Sequence, residues 1–291
     1  MPTLLDFRRR IRSVKNTQQI TRAMKFIAAA RLRKAQEGVI SARPYAREIL
    51  RILRSAVARM ENPLHPLLER REEKSILVIV LTGDRGLAGP FNANVLRYAQ
   101  VFLREHAAQK IRVIAIGKKG RDLLRKRNYE FAGEYLNVSL NVEFKNAKEI
   151  SARVVELYTA EEVDAVYTIY NEFKSVIVQR LCSEKLLPIE PEILKSDEAA
   201  GAQALVDYIY EDPPAELFKS LVPRYIDTEI FRILLESAAA EHGARMAAME
   251  AATNNAGELI TELTLEMNKI RQAGITRELI EIVSGAKSAN E

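Results

Sequence analysis

The sequence predicts an α/β domain, Rossmann-like with a mainly parallel sheet, inserted between two long helices that form an antiparallel coiled coil. Both ends of the chain repeat apolar or small residues in steps of three and four, which is typical of helices. The middle alternates β-branched runs with helical periodicity, which is typical of parallel α/β units. We therefore expect a helix over 1–62, a linker over 63–73, the α/β domain over 74–222 and a second helix over 223–291.

The C-terminal helix is the element around which the chain is organised. Residues 224–285 contain no proline, and about 60 residues of helix exceed the usual globular length of 8–20. A helix of this length suggests a coiled coil or a rod that reaches another object. Its predicted apolar seam comprises Ile230, Leu234, Ala238, Ala248, Ala252, Ala256, Leu259, Leu263, Met267 and Ile270.

The N-terminal region predicts the partner helix. Pro2 and Pro44 bracket about 40 residues with one apolar seam, and residues 45–61 continue the helix or bend away from it. Alanines are frequent on both terminal helices, which permits close approach in an antiparallel pair. The predicted N-terminal seam comprises Phe7, Ile11, Val14, Ile20, Met24, Ile27 and Ala28.

The middle of the chain predicts alternating strands and helices. The first two strands are continuous apolar runs, as expected for strands covered on both faces. The last two are separated by a short polar turn, which predicts an antiparallel hairpin. The predicted strands are 75–82, 111–116, 165–173 and 176–182, and the predicted helices are 92–106, 118–127 and 147–159.

Composition restricts the class of protein. The longest strongly apolar run, 76–81, is far shorter than the roughly 20 residues of a membrane span, and the N-terminus lacks the apolar core of a signal peptide. We expect a bacterial protein that is made and kept in the cytoplasm. Cys182 is the only cysteine, so no disulfide forms within one chain, and a buried inert thiol is expected.

Charge is divided between the two ends of the chain. Residues 1–36 carry ten Lys or Arg against Asp6 alone, whereas residues 224–291 carry seven basic and eleven acidic side chains. A complementary pair of terminal helices would show the same division of charge. The basic helix itself has three functional interpretations, which are nucleic-acid binding, a membrane surface and a positive stripe that faces acidic proteins, besides a plain solvated face. No nucleic-acid motif accompanies the charge, and the apolar seam is narrow for a membrane helix. A protein-facing stripe fits best.

Catalytic motifs are not evident. The loop 83–89 follows a strand but has neither G-x-G-x-x-G nor a Gly-Lys-Ser/Thr ending, and 117–120 is expected to be a solvated turn. Glu190 and Glu192 belong to a loop without signs of a pocket. The three histidines, which lack partners at metal-ligand spacing and are expected to be surface or satisfied residues, are His65, His106 and His242.

Three segments carry a resemblance to a known family. They are Asn16-Thr-Gln-Gln-Ile-Thr-Arg-Ala-Met24 with its continuation to Lys34, Thr82-Gly-Asp-Arg-Gly-Leu-Ala-Gly89, and Ile275-Thr-Arg-Glu-Leu-Ile-Glu-Ile-Val-Ser-Gly-Ala286. In this order they resemble the gamma subunits of bacterial F-type rotary ATP synthases, and the resemblance extends over the whole chain.

The resemblance implies a central rotor stalk. In that family the terminal helices enter the ring of three alpha and three beta subunits, while the α/β domain stands beside epsilon on the membrane c ring. Proton flow turns the c ring, and the stalk transmits torque to beta, where catalysis occurs. The chain is therefore expected to be non-catalytic, without a cofactor, and held at the cytoplasmic face of the bacterial inner membrane by other subunits. Nucleic-acid binding is not expected of it. From the residues alone, a basic coiled coil that binds nucleic acid or acts as a scaffold remains the alternative.

The resemblance also assigns contacts to individual residues. Those matched to beta-subunit contacts are Met24, Lys25, Arg271 and Gln272. Those matched to the apolar bearing at the top of the ring are Thr276, Glu278 and Glu281. Those matched to the foot on the c ring are Tyr208 and Glu211.

Overall fold

The computed structural model describes residues 3–58, 65–176, 178–190 and 214–288. The chain divides into two compact units. The first unit consists of the two chain ends, up to Ala28 and from Met246. The second unit is formed by the intervening Ala29–Arg245. Two helices, α1 (Leu4–Ala58) and α5 (Pro214–Ser288), contribute residues to both units.

The second unit contains a five-stranded sheet in the order β3-β2-β1-β4-β5. The first four strands pair in parallel, and β5 pairs antiparallel with β4. The predicted mainly parallel α/β fold and the antiparallel hairpin are therefore confirmed. The strands are β1 (Ser75–Leu81), β2 (Lys110–Ile116), β3 (Glu130–Tyr135), β4 (Ala165–Phe173) and β5 (Gln179–Leu187).

Helices cover both faces of this sheet because β1 carries apolar side chains on each face. On one face α2 (Phe91–Glu105) and α3 (Lys118–Lys126) pack on Ile76, Val78 and Val80. On the other face Leu77, Ile79 and Leu81 join a larger core with α4 (Phe144–Thr159) and segments of α1 and α5. Two short 3₁₀ helices, Pro66–Leu68 and Val138–Leu140, complete the described elements of this unit.

Some boundaries differ from those predicted. The last strand is Gln179–Leu187 rather than 176–182, because its pairing with β4 extends to Leu187 beyond the apolar run. Strand β3 was missed, since its sequence Glu-Phe-Ala-Gly-Glu-Tyr has little β-branched character. Helix α4 begins at Phe144, three residues earlier than expected, where Glu143 and Asn146 form a reciprocal capping box.

Both long helices continue through a proline. The sequence left open a bend at Pro44 and placed the start of the second long helix at residue 223, but Pro44 and Pro223 both lie inside continuous helices. Proline removes one backbone hydrogen bond and disfavours a helix interior. Here core residues lie close to each proline, namely Ile49 and Leu53 after Pro44 on α1, and Phe218 and Ile226 on either side of Pro223 on α5. Tertiary packing thus outweighs the local preference for a break.

In the first unit α1 and α5 run antiparallel, as predicted. Gln18 and Thr21 contact Thr253, whereas Lys25 contacts Glu250, so partner numbers fall along α5 as they rise along α1. The composition of the seam was partly mispredicted, because steps of three and four fit more than one apolar set. Ile20, Ile27 and Leu259 are 60%, 54% and 43% exposed and lie outside the seam. A set of protected positions spaced by three and four residues runs along each helix, and Met24, Ala247, Ala248, Ala252, Gly257, Thr264 and Asn268 are half-buried beside it. The positions of the set are Leu4, Phe7, Ile11, Val14, Gln18, Thr21, Lys25 and Ala28 on α1, and Met246, Met249, Thr253, Ala256, Ile260, Leu263, Met267 and Ile270 on α5.

An ion cluster around Arg232 attaches α5 to the sheet in the second unit. Its guanidinium lies 2.8 Å from Glu184 on β5 and 2.9 and 3.2 Å from Glu229 and Glu236 on α5. The Tyr170 hydroxyl donates to Glu184 and accepts from Arg232. Burial works against the charge of Arg232, but the surrounding carboxylates raise the pKa of its guanidinium overall. The cluster adds directional contacts to the apolar packing.

His242 is a buried ionisable group on α5 in the same unit. Its ring is 3% exposed, and Arg245 donates to Nδ1 at 3.3 Å. Burial lowers the pKa of His242 below 6.5, and the nearby Arg245 and Arg31 act in the same direction although Glu241 opposes them. Burial also lowers the pKa of His65. Each of these histidines makes a hydrogen bond, as expected for satisfied residues.

The lowered pKa of His242 makes stability depend on pH. Below about pH 6.5 the unfolded chain binds a proton that the folded chain resists, so the free energy of unfolding falls as pH falls from 7 to 5. We expect His242→Gln to flatten this fall, by at most about 1.4 kcal/mol per pH unit. Urea unfolding of both chains at several pH values measures the difference. Equal slopes would contradict the assignment, and the slope that remains in His242→Gln includes the part from His65.

Candidate protein-interaction surface

The basic residues of α1 in the first unit lie mostly in solvent. Among the described residues of this unit, Lys25 is the one basic side chain of α1 that forms an ion pair with α5. The charge division between the chain ends therefore does not arise mainly from complementary pairing of the two helices. The exposed basic residues, which we call the basic stripe, are Arg8, Arg9, Arg10, Arg12, Lys15 and Arg22.

Large apolar side chains are exposed on the same part of α1. Leu5, Ile20, Phe26 and Ile27 are 54–61% exposed. Surfaces that combine exposed apolar residues with arginine are typical of protein interfaces. A surface that only neutralises phosphates has no need of them. The arrangement favours the interpretation of the stripe as a contact for acidic proteins.

Met24 and Lys25, predicted to contact beta, are half-buried beside α5. The Lys25 ammonium donates to Glu250 at 2.6 Å, and its side chain is 31% exposed. The amine is thus already paired within the unit. A contact of Met24 and Lys25 with another subunit stays a prediction.

The C-terminal part of α5 has no counterpart on α1. Leu4 precedes Thr21 by as many residues as Ile270 follows Thr253, so in this antiparallel pair Leu4 and Ile270 lie at the same level along the axis. Helix α1 begins at Leu4, so α5 continues where α1 has ended. Correspondingly, residues 271–280 and 282–284 are all exposed. We call residues 271–284 the tip.

The tip is exposed but strongly apolar. Its large apolar side chains are 51–67% exposed, and spacings of three and four place several of them on common helix faces. Contiguous exposed apolar surface on a helix marks an interaction site. The residues are Ile275, Leu279, Ile280, Ile282 and Val283.

The tip also contains the residues that the sequence assigned to the beta contact and the bearing. Arg271 and Glu278 are exposed and share a face with Ile275 and Ile282, since these positions are separated by steps of four and three. Gln272 and Thr276 are exposed too, and the Thr276 hydroxyl donates to the Gln272 carbonyl at 3.0 Å. Glu281 lies within α5, but its side chain is outside the described part. Tyr208 and Glu211 lie outside the described residues.

The glycine loop 83–89 is held by contacts within the second unit. Asn92 accepts from the Gly83 amide at 2.8 Å, and Asp84 accepts from the Lys118 amide at 3.0 Å. A Cβ at Gly83 would lie 2.8 Å from the Glu241 carboxylate. Glycine thus allows the Glu241 carboxylate, which pairs with Arg245 at 2.6 Å, to approach the loop.

The segment 117–120 is packed rather than solvated as expected. Gly117 has φ +92°, and a Cβ there would lie 2.0 Å from the Thr82 carbonyl oxygen. The Gly120 amide donates to the Thr82 hydroxyl, and the Lys119 amide donates to the Gly83 carbonyl. The first amides of α3 are therefore satisfied internally, and the helix N-terminus is not offered to an anion.

Other candidate chemistry is also accounted for by packing. Cys182 is half-buried, and burial raises the pKa of its thiol, which disfavours the reactive thiolate. Among the described residues, no group of three His, Cys, Asp or Glu side chains could hold a metal ion. None of the described helices combines the length and the apolar character that crossing a bilayer requires.

Sequence reasoning missed the polar positions of the seam and the apolar character of the tip. The sequence did contain a signal for the tip. The apolar pattern of the C-terminal helix continues past the point at which the N-terminal helix could still pair with it. The polar positions Gln18 and Thr21 were passed over because only apolar residues were followed. The seam spacing of three and four would have included both.

Comparison with known proteins identifies the family that has this architecture. A family model described as ATP synthase matches residues 3–289. The ATP synthase gamma chain of Solibacter usitatus is 50% identical over 293 residues, covering 99% of this chain and 100% of that one. The ATP synthase gamma chain of Pelotomaculum thermopropionicum is 46% identical over 286 residues, covering 98% of this chain and 99% of that one.

Solved structures share the fold. A chain of the Euglena gracilis mitochondrial ATP synthase aligns with a TM-score of 0.65 at 20% identity, over 98% of this chain and 94% of that one. A chain of the Tetrahymena thermophila mitochondrial ATP synthase central stalk and c ring aligns with a TM-score of 0.58 at 22% identity, over 80% of this chain and 99% of that one. At these identities the likeness concerns the fold alone. The full-length family match and the half-identical bacterial relative show that the chain belongs to the ATP synthase gamma chains.

Proposed function

We propose that the chain is the central rotor stalk of a proton-translocating rotary ATP synthase. It is a non-catalytic subunit that transmits torque between the membrane c ring and the catalytic beta subunits. Family membership supplies the identity of the complex. The observation on the chain itself that carries the proposal is the tip, a helix segment with exposed apolar residues that no other described part of the first unit covers.

A rotor affects catalysis only through differential contact. A partner's conformation shifts by as much as the stalk binds one of its states better than another. The first unit has the asymmetry that this requires, because the basic stripe lies on α1 whereas the apolar tip belongs to α5 alone. Rotation inside a ring of alpha and beta subunits presents these different surfaces to each beta subunit in turn.

Individual contacts follow the same division. Arg271 and Gln272, together with Met24 and Lys25, are the proposed contacts with beta. The planar guanidinium of Arg271 suits a directional bond to a carboxylate or carbonyl. Thr276, Glu278 and Glu281 are the proposed bearing residues.

The remaining partners are proposed for the α/β domain. Tyr208 and Glu211 are the proposed contacts with the c ring, and epsilon is the proposed neighbour of the domain. Functionally, we divide the chain into helical shaft segments 1–62 and 223–291, a linker 63–73 and a foot 74–222. As a gamma chain, the protein is part of the membrane-associated F1 sector. We place it peripherally at the cytoplasmic face of the bacterial inner membrane, held there by other subunits.

Reconstitution tests the proposed function. The purified chain should assemble with the alpha and beta subunits of the same organism and should restore their ATPase activity. A chain truncated after Ile270, which removes the tip but leaves the seam, should bind more weakly and restore less activity. Failure of the full-length chain to assemble would reject the stalk assignment. Tight binding to DNA with a steep dependence on salt would instead support the nucleic-acid alternative.

Arg271→Ala tests the proposed beta contact. Arg271 lies outside the seam, so the substitution should leave the fold intact. Loss of its hydrogen bond to beta, which involves a charged group, should cost about 1.5–3 kcal/mol. We expect ATP synthesis by the reconstituted complex to fall about tenfold, the equivalent of about 1.4 kcal/mol. Arg277→Ala is the matched control, because Arg277 is equally exposed but lies on another face of α5. Equal effects of the two substitutions, or unchanged synthesis with Arg271→Ala, would remove Arg271 from the site.

A further inference from the structure

The seam of the first unit can be divided into layers by following both helices from Thr21 and Thr253, whose hydroxyl oxygens are 2.8 Å apart. Equal steps of three and four along each helix make the seam positions level in pairs. Four apolar layers follow towards the start of α1, namely Val14 with Ile260, Ile11 with Leu263, Phe7 with Met267 and Leu4 with Ile270.

These apolar layers do not define a unique alignment. All of them combine aliphatic, methionine or phenylalanine side chains, and the pattern repeats every seven residues on both helices. A shift of α5 by seven residues, about 10 Å along its axis, that brings Ala256, Ile260 and Leu263 level with Ile11, Phe7 and Leu4 would again place apolar or small residues opposite one another. Apolar burial alone therefore discriminates weakly between alignments one heptad apart.

Three successive α1 positions of the seam are polar instead. Gln18 donates from Nε2 to the Thr253 carbonyl at 3.3 Å, Thr21 contacts the Thr253 hydroxyl, and Lys25 donates to Glu250 at 2.6 Å. Thr21 is only 9% exposed. Each of these contacts joins α1 to α5, and each partner lies within four residues of the others on α5.

The hydrogen bonds of the two hydroxyl groups show how strongly the contact between Thr21 and Thr253 favours one alignment of the helices. The Thr21 hydroxyl lies 3.0 Å from the Gln18 carbonyl and the Thr253 hydroxyl lies 2.7 Å from the Met249 carbonyl. Two protons must serve these two contacts and the contact between the hydroxyls. A displaced threonine could still bond to its own helix, so the threonines alone provide modest discrimination. Among the described residues, the hydrogen bonds of the Gln18 and Lys25 side chains go to α5 and none goes to their own helix.

Because Gly257 has no side chain, Gln18 can approach α5 closely at this position. A Cβ at this position would lie 3.1 Å from Gln18 Nε2, closer than side chains usually tolerate. After this shift Gln18 would lie level with Met249 instead of Ala256, and its amide would lose its small neighbours Ala256 and Gly257. An amide buried against apolar side chains without a partner is unfavourable.

We propose that Gln18, Thr21 and Lys25 of α1, with Glu250 and Thr253 of α5, form a register lock that holds the two helices of the first unit in one axial alignment. The lock exchanges some apolar burial for directional bonds that only one alignment satisfies. Polar residues at single seam positions of coiled coils act in this way. The lock is a property of the helix pair and operates in the free chain, independently of the partners of the stalk.

Disulfide trapping in the full chain tests the lock. In a Cys182→Ser background, Ile11→Cys with Leu263→Cys reports the native alignment, and Ile11→Cys with Ala256→Cys reports a shift of one heptad. A disulfide requires Cα atoms within about 7 Å, so each pair forms a bond in only one alignment. With the lock intact, the native pair should oxidise readily and the shifted pair should not.

A variant in which the lock residues are replaced by apolar residues should lose the preference for the native alignment. It combines Gln18→Leu, Thr21→Val, Lys25→Leu, Glu250→Leu and Thr253→Val. We expect the shifted pair to form about tenfold faster in this variant, the change produced by about 1.4 kcal/mol. The matched control is Arg33→Leu with Glu37→Leu, which removes an exposed ion pair of α1 in the second unit and should leave both rates unchanged.

A milder variant keeps the test decisive if the fivefold variant does not fold. Gln18→Leu with Thr21→Val and Thr253→Val changes side-chain volume little, and circular dichroism checks its helix content. An increase in the shifted disulfide supports the lock. Exclusive formation of the native disulfide in a folded apolar variant would overturn it, as would an equal increase in the Arg33 and Glu37 control.

Discussion

The structure depends on one geometric constraint, the unequal reach of two antiparallel helices. Because Thr21 is level with Thr253, the first helical residue of α1, Leu4, is level with Ile270. Helix α5 continues to Ser288, so its last turns are exposed while their side chains remain apolar. Contiguous exposed apolar side chains on a single helix mark an interaction site, and the proposed function supplies a partner that would cover them.

The same helix is anchored differently in the second unit. There α5 contributes Phe218, Ile226, Ile230 and Leu234 to the core beneath the sheet, and Arg232 adds ion pairs to β5. In the first unit α5 has only one helix as neighbour, with a narrow seam. One element thus changes from a core helix to half of a helix pair and then to an uncovered tip. This sequence of environments suits a part that is fixed at one end and contacts a partner at the other.

Much of this arrangement could be predicted from the sequence. Continuous β-branched runs such as 75–82 identify buried parallel strands, and helical periodicity at both ends identifies the long helices. The exact seam could not be predicted, because Ile20 and Ile27 satisfy the same spacing as Gln18 and Thr21 nearly as well and only the partner helix decides between them. Pro44 and Pro223 misled for a related reason, since local preference favours a break, yet both helices continue through the proline into residues that pack in the core. At the candidate site, the uncovered tip follows from the helix lengths, whereas the roles of Arg271 and Glu278 require the partner.

Backbone amide exchange of the tip tests the central claim most directly. A single helix without packed neighbours opens easily, so residues 271–284 of the free chain should exchange rapidly, whereas the buried strand β1 should exchange slowly. On assembly with alpha and beta subunits, we predict that exchange of the tip slows at least about tenfold while β1 remains unchanged. Exchange of the tip at the same rate in the free chain and in the assembled complex would contradict the claim that this segment exists to be covered by a partner.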